Sequence, residues 1–338
     1  MHDMNVADQS ALLIAFAPME GYTDAIYRRI HRDTFGEVDQ YFLPFISPSE
    51  SLSFSSRQQA DFSPKENAGM PAVPQLLTKD ADLFVRMCFM LRDAGYNEVN
   101  LNLGCPSGTV TAKGKGAGFL RNIDALRCFL DTFFSKVPLA VSLKTRIGYD
   151  SEETWKTLLP LFCKYPVKQW ILHPRLGREQ YTGHPRWICY QEALKEASFP
   201  VVYNGDIFTV RDYQAFHQAF PDAPGVMLGR GMLTNPALAR EIRGGHRLSR
   251  DEIICFHDRL LQTYLKQWPA SAAVGRMHAV TGYLYHAFEC PTAVKRQIGR
   301  AASVEEYQTA VRVLLDTCPM KEDPCFVPPH LIRETENQ

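Results

Sequence analysis

Eight short runs rich in β-branched and aromatic residues recur along the first two thirds of the chain, at 13–19, 38–45, 72–77, 98–104, 140–147, 169–175, 201–207 and 225–231. Most are separated by stretches with helical periodicity, such as 80–94, 123–136, 151–165 and 210–220, several of them opened by Asp, Ser or Thr in capping position. Strands that alternate with helices make a parallel sheet. Eight βα units in roughly 220 residues fit a (β/α)8 TIM barrel, whereas a doubly wound sheet usually has five to seven strands. The connection 47–70 is polar, Ser-rich and long, which predicts an irregular excursion in the second unit. From about residue 240 the β-rich runs stop, and 251–268, 272–288 and 304–317 read as helices. The expected organisation is a TIM-barrel domain over 12–240 followed by a small all-α helical-bundle domain over 241–338.

Hydrophobic residues at 45% and charged residues at 22% place the 338-residue chain among ordinary globular proteins. Lys plus Arg equals Asp plus Glu at 37 each, so any contact with nucleic acid has to come from locally clustered charge. Nine cysteines without a C-x-x-C pair argue against both a disulfide framework and a structural zinc site. The apolar run 11–18 is too short to span a membrane. A monomer in the cytoplasm, with neither metal nor membrane as partner, is the expectation.

TIM-barrel chemistry is built at the C-terminal ends of the strands, and the residues there are unusual. The first run ends Ala17-Pro18-Met19-Glu20-Gly21, the third contributes Gln75, and the fourth ends Asn100-Leu101-Asn102-Leu103-Gly104-Cys105-Pro106. The fifth carries Lys144 and Arg146, the sixth His173 and Arg175, the seventh Asn204-Gly205-Asp206 and the eighth Gly229-Arg230-Gly231. Each has a purely structural reading taken singly, but together they predict a polar ligand at the rim. Barrels commonly hold phosphate after strands seven and eight, where Arg230 can fork onto it and glycines let the backbone approach. Gly114-Lys115-Gly116-Ala117-Gly118-Phe119 fails the dinucleotide fingerprint at its last position, and neither a P-loop nor a metal motif occurs.

Cys105 stands apart from the other cysteines. Cys88, Cys128, Cys163, Cys189 and Cys255 fall inside helical patterns, where a small buried hydrophobe is expected. Cys105 follows a strand end between Gly104 and Pro106, and the segment 107–118 behind it, with four glycines and two lysines, has the composition of a mobile lid.

At these residues the chain resembles the dihydrouridine synthases, FMN-containing TIM barrels that reduce uridine in tRNA using NADPH. The resemblance rests on Ala17-Pro18-Met19-Glu20-Gly21, on Asn102-Leu103-Gly104-Cys105-Pro106-Ser107 with the glycine-rich loop behind it, on Lys144-Thr145-Arg146, His173-Pro174-Arg175, Asn204-Gly205-Asp206 and Gly229-Arg230-Gly231. It covers 12–240 well and the C-terminal helices loosely. It implies that Pro18, Met19, Glu20 and Gln75 line the flavin ring, and that Lys144, His173, Asn204, Gly205, Asp206, Gly229 and Arg230 serve ring, ribityl chain and phosphate. His173 is followed by Pro174 where the family more often has Gly or Ala, and Ser47-Pro48-Ser49 departs from the commoner Thr-Glu after strand two.

Uracil is a weakly electrophilic enone, so hydride from flavin N5 to C6 needs a proton for C5 from the other side. Thiols titrate near about 8.5 and are protonated at neutral pH, which suits Cys105 as that acid. Residues 240–300 carry ten Lys or Arg against five acids, a local excess that suits phosphate contacts. Asn102, Arg175, Tyr181, Arg276, Lys295 and Arg296 are the expected RNA contacts, with tRNA as substrate and rRNA as its alternative. Arg276 and Tyr283 are seven apart and share a helix face. The competing readings are a flavin TIM-barrel oxidoreductase acting on a small enone-type molecule, a Schiff-base aldolase using Lys144, and a non-catalytic RNA-binding module.

Overall fold

The computed structural model describes residues 12–326. The chain divides into two compact units, one of 1–18, 39–206 and 220–227, the other of 19–38, 207–219 and 228–338. Both are discontinuous, so the second takes in the segment after the first strand and the helix before the last one, besides the C-terminal helices.

The first unit carries the sheet. Its strands are β1 (Leu13–Phe16), β2 (Gln40–Phe42), β3 (Ala72–Val73), β4 (Gln75–Leu76), β5 (Glu98–Leu103), β6 (Ala140–Arg146), β7 (Trp170–His173), β8 (Val201–Tyr203) and β9 (Gly225–Leu228). Their order is β3-β2-β1-β9-β8-β7-β6-β5-β4, and neighbouring strands run parallel. Only Pro74 separates β3 from β4. Proline has no N–H for the ladder, yet its carbonyl accepts from Asn100 N at 2.8 Å, so β3 and β4 are one barrel strand that pairs with β2 on one side and β5 on the other. The ring is thereby closed. Eight strands result, each inside one of the expected runs.

Alternation along a strand sends successive side chains to opposite faces. In β5 (Glu98–Leu103, EVNLNL) this puts Glu98, Asn100 and Asn102 on one face and Val99, Leu101 and Leu103 on the other. Trp170 packs outward on Phe162 and Trp155 and donates to Thr145 Oγ1 at 2.8 Å, leaving Ser142, Lys144 and Arg146 on the opposite face of β6. The expected irregular excursion at 47–70 holds a helix at Ser56–Phe62, started by a capping box between Ser55 and Gln58. Tyr96 Oη donates to the Phe62 carbonyl at 2.9 Å and holds that helix down.

The second unit is helical. It contains α1 (Ala25–Phe35), the helix Val210–Ala219, a short helix Arg230–Thr234 and four longer C-terminal ones: Arg250–Gln267, Ala270–Leu284, Thr292–Arg300 and Val304–Arg312. Tyr27, Phe35 and His31 pack their rings on Phe256, and His31 is fully buried with its Nε2 2.9 Å from the Pro236 carbonyl. Burial lowers the His31 titration to about 3, which keeps this ring neutral. Among the described residues no helix is long and apolar enough to cross a membrane, and no group of three His, Cys, Asp or Glu is placed to hold a metal ion.

Candidate active site

Parallel register sets the rim of the first unit. Asn102 on β5 stands opposite Lys144 on β6, and Arg146 opposite His173 on β7. A ladder of amides runs along the inner face toward Cys105. Asn100 donates to Ser142 Oγ at 2.9 Å, Gln75 donates to Asn100 at 2.8 Å, and Asn102 donates to Gln75 at 2.8 Å. That leaves the Asn102 oxygen to accept from the backbone N–H of Gly104 at 3.1 Å and Cys105 at 2.9 Å. Each amide fixes the orientation of the next, so the turn bearing Cys105 is held from inside the barrel.

Arg146 holds it from the other side. The guanidinium donates to the Gly104 carbonyl at 3.1 Å, to Leu176 O at 2.7 Å and to Gln180 O at 2.6 Å, and stands 5.6 Å from the Tyr181 ring centroid. It is buried, and loss of solvation lowers its pKa to about 10. Lys144 Nζ donates to Asn204 Oδ1 at 2.7 Å, and Asn204 Nδ2 donates to the Met227 carbonyl at 2.8 Å. Burial and then repulsion from Arg146 bring Lys144 down to about 7, with Cys105 opposing.

The segment behind Cys105 is folded against it. Gly116 has φ +57°, and a Cβ there would lie 2.8 Å from the Cys105 carbonyl; Ala117 N donates to that carbonyl at 3.0 Å. Cys105 itself is partly exposed. Of the five cysteines expected to be buried, Cys88 and Cys189 are, whereas Cys128 and Cys255 are exposed and Cys163 is intermediate.

Arg175, expected to touch RNA, is 1% exposed and turned inward. It forms a bidentate ion pair with Asp206, donates to Thr182 O at 3.2 Å and to Gly183 O, and lies 3.2 Å from His173 Nε2. Because a guanidinium can only donate, His173 Nε2 accepts and the ring proton sits on Nδ1. Arg175 therefore positions His173, Asp206 and the 180–183 loop. Asp206 has φ +36°, a conformation costly for a non-glycine residue, and the ion pair holds it there. Tyr181 is 42% exposed at the rim, its ring 6.4 Å from that of His173. Pro18 closes the first segment of this unit, partly buried, and Gly205 lies between Asn204 and Asp206 with Pro185 and Tyr203 where a Cβ would go.

The remaining residues fall in the second unit. Met19 is anchored by Thr23 Oγ1, which accepts from its N–H at 3.0 Å, and Glu20 is exposed. Arg230 follows Gly229 directly after β9, its guanidinium 5.1 Å from the Phe208 ring and 5.2 Å from that of Phe326. Arg276, an expected RNA contact, is partly buried against Asp24, Gly21 O and the Trp268 ring. Much of the basic charge of 240–300 has partners within the chain: Arg240 pairs with Glu252, Arg243 with Glu37, and, at the surface, Arg247 with Glu322 and Arg259 with Asp33, while Arg250 donates to the Leu315 and Cys318 carbonyls. Lys295 lies over the Tyr285 ring at 4.5 Å, and Arg296 and Arg300 point to solvent.

A closed parallel barrel with a thiol, a lysine, an imidazole and three amides at its strand ends is an enzyme domain of the (β/α)8 class. Over 90% of this chain it is similar in fold to histamine dehydrogenase from Rhizobium sp. 4-9, at a TM-score of 0.52 and 12% identity, covering 62% of that chain. The model of the family described as dihydrouridine synthase matches residues 15–312. A tRNA-dihydrouridine(16) synthase of Pseudomonas syringae pv. tomato is 30% identical over 69% of this chain and 75% of its own length. A probable tRNA-dihydrouridine synthase 1 of Synechocystis sp. is 29% identical over 67% of this chain and 63% of its own length. The chain belongs to the dihydrouridine synthase family, a family of flavin oxidoreductases.

Proposed function

We propose that this protein reduces a uridine of tRNA to 5,6-dihydrouridine, with FMN as its resident cofactor and NADPH as reductant. The observation that carries the reading is Cys105, partly exposed at a strand end and held by Asn102 and Arg146 among the polar side chains of the rim. Several relatives are tRNA-dihydrouridine(16) synthases, which supports position 16 of tRNA as the target. A cytoplasmic enzyme fits that substrate.

The donor set suits FMN. Lys144, the Nδ1–H of His173 and the amides of Asn204 and Gln75 are complementary to a ring bearing carbonyls, and the family resemblance gives Arg230 to its phosphate. By the family resemblance Pro18, Met19 and Glu20 would border the ring, and Gly205, Asp206 and Gly229 would serve its ribityl chain and phosphate. Reduced FMN would supply a hydride to C6 of the uracil. Cys105 delivers the proton to C5, and its thiolate regains one from solvent, so the base gains two hydrogens in total. Tyr181, exposed beside His173, would stack on a flipped base. The 241–338 part, with Lys295 and Arg296, would grip the RNA.

The test is reconstitution. Purified protein should be yellow, release FMN on denaturation and form dihydrouridine in tRNA when given NADPH, and Arg230→Ala should retain less FMN. Cys105→Ala should keep both FMN and its reduction by NADPH while losing about 10²–10⁴-fold in tRNA reduction. A protein that cannot be loaded with FMN defeats the reading; wild-type turnover by Cys105→Ala defeats the role of the thiol.

A further inference from the structure

The folded segment behind Cys105 gathers cations that no step of the proposed reaction uses. Lys113 and Lys115 flank Gly114 in that segment, and Lys79 arrives from the loop after β4, its Nζ 3.6 Å from where a Cβ of Gly114 would stand. Lys79 and Lys113 are exposed and Lys115 is partly buried. Gly114 at φ +64° and Gly116 at φ +57° bracket Lys115, whose backbone is pinned on both sides: its N–H donates to Val110 O at 3.3 Å and its carbonyl accepts from Gly118 N at 3.0 Å.

Lys79 and Lys113 crowd like charge around Gly114, and Lys115 registers this. Its pKa is lowered first by burial, then by Lys113 and by Lys79, with Asp80 opposing. Asp80 is already engaged, capping the next helix through Leu83 N at 2.9 Å. A core or a solvated surface gains nothing from such crowding, whereas an anion docked on it is bound more tightly for it. The patch adjoins the reaction centre, because Lys115 precedes Gly116, which sits against the Cys105 carbonyl.

We propose that Lys79, Lys113 and Lys115 form a docking point for a backbone phosphate of the RNA, next to the nucleotide presented to Cys105; this rests on the tRNA-reducing reading above. A uridine flipped to the rim gives up stacking worth a few kcal/mol, and a phosphate contact beside the flipped nucleotide offsets that where the strand is bent. The patch thus accounts for presentation of the base rather than for the chemistry performed on it.

The experiment is tRNA binding and turnover across a salt series with FMN-loaded Lys79→Gln/Lys113→Gln and, separately, Lys115→Gln. Both lysines of the double variant are exposed, so the fold is expected to stand, and circular dichroism with FMN content checks it. The double variant should raise KM for tRNA by on the order of tenfold at nearly unchanged kcat, and flatten the log–log salt dependence of binding by about one unit for each phosphate no longer neutralised. Flavin reduction by NADPH without RNA should keep its rate. Unaltered tRNA affinity and salt slope overturn the proposal. So does a variant slow to accept electrons from NADPH but normal in tRNA binding, because the patch would then serve the dinucleotide's phosphates. Wild-type protein with no affinity for tRNA overturns the functional reading itself; wild type that binds tRNA beside variants that bind equally well overturns only the lysine patch.

Discussion

Arg276 donates to the carbonyl of Gly21 and holds its Nε 3.7 Å from Asp24 Oδ2, so the helix Ala270–Leu284 is tied to the loop that follows Met19 and Glu20. Asp24 also caps α1 through Tyr27 N at 2.9 Å and accepts from Tyr264 Oη at 3.2 Å. Tyr283, seven residues on, packs edge-on against Tyr22. Arg276 and Tyr283 do share a face, and it is turned to this loop.

Arg276→Ala is therefore expected to act on stability. Removing one partner of a nearly buried ion pair typically costs about 3 kcal/mol, and less where water can enter, so the urea midpoint should fall clearly. FMN retention should fall with it, since Met19 and Glu20 lie in the loop released, and Arg276→Lys should recover part of both. Weaker tRNA binding at unchanged stability and FMN content would instead place Arg276 on the RNA surface.

Asn102→Asp separates geometry from chemistry at Cys105. The carboxylate can still accept from Gly104 and Cys105, but it no longer donates to Gln75, and two oxygens about 2.8 Å apart then face each other. Rotating the Gln75 amide does not help, because its nitrogen is committed to Asn100. A buried polar clash of this kind costs about 1–3 kcal/mol. The expected result is a lower Tm and slower tRNA reduction, with flavin reduction by NADPH preserved. If turnover stayed at the wild-type level, the ladder would be scaffolding without effect on the thiol.

Lys144 gives a pH dependence with a definite sign. Its folded pKa is about 7 against an ordinary lysine value of 10.5, so between those values the unfolded chain binds more protons. Stability then rises with pH across that window; below about 7 both states carry the proton and the cost of burying the charge is fully present. In flavin-free protein, Lys144→Met should stabilise more at about pH 6.5 than at about pH 9, as read from urea midpoints. An equal gain at both values would mean that Lys144 titrates normally.

Strand positions were readable because each strand needs only a short local run, and eight of them repeat. Cys105 was readable because a thiol between Gly104 and Pro106 breaks helical and strand patterns alike. Charge partners were not. Arg276 meets Asp24 across about 250 residues and Arg175 meets Asp206 across 31, so a count of basic residues in one stretch cannot say which of them are already paired. The short helix at Ser56–Phe62 did have a local signal, the Ser55-x-x-Gln58 box, hidden by the polar composition around it.

Arg296 and Arg300 remain as the exposed cations of the helix Thr292–Arg300, with Lys295 beside them over Tyr285. The apolar side chains Val294 and Ile298 of that helix are buried, so the arginines lie off its packed face. Replacing both by Glu leaves that packing intact, and the Tm should change little. If RNA is gripped there, binding should weaken on every tRNA sequence alike, because phosphates carry no base identity, and the salt slope should flatten by about one unit per phosphate released. FMN content and its reduction by NADPH should not change. Full tRNA affinity in the double variant, measured by fluorescence anisotropy at two salt concentrations, would take the helix out of the RNA surface and leave the rim of the barrel to carry binding.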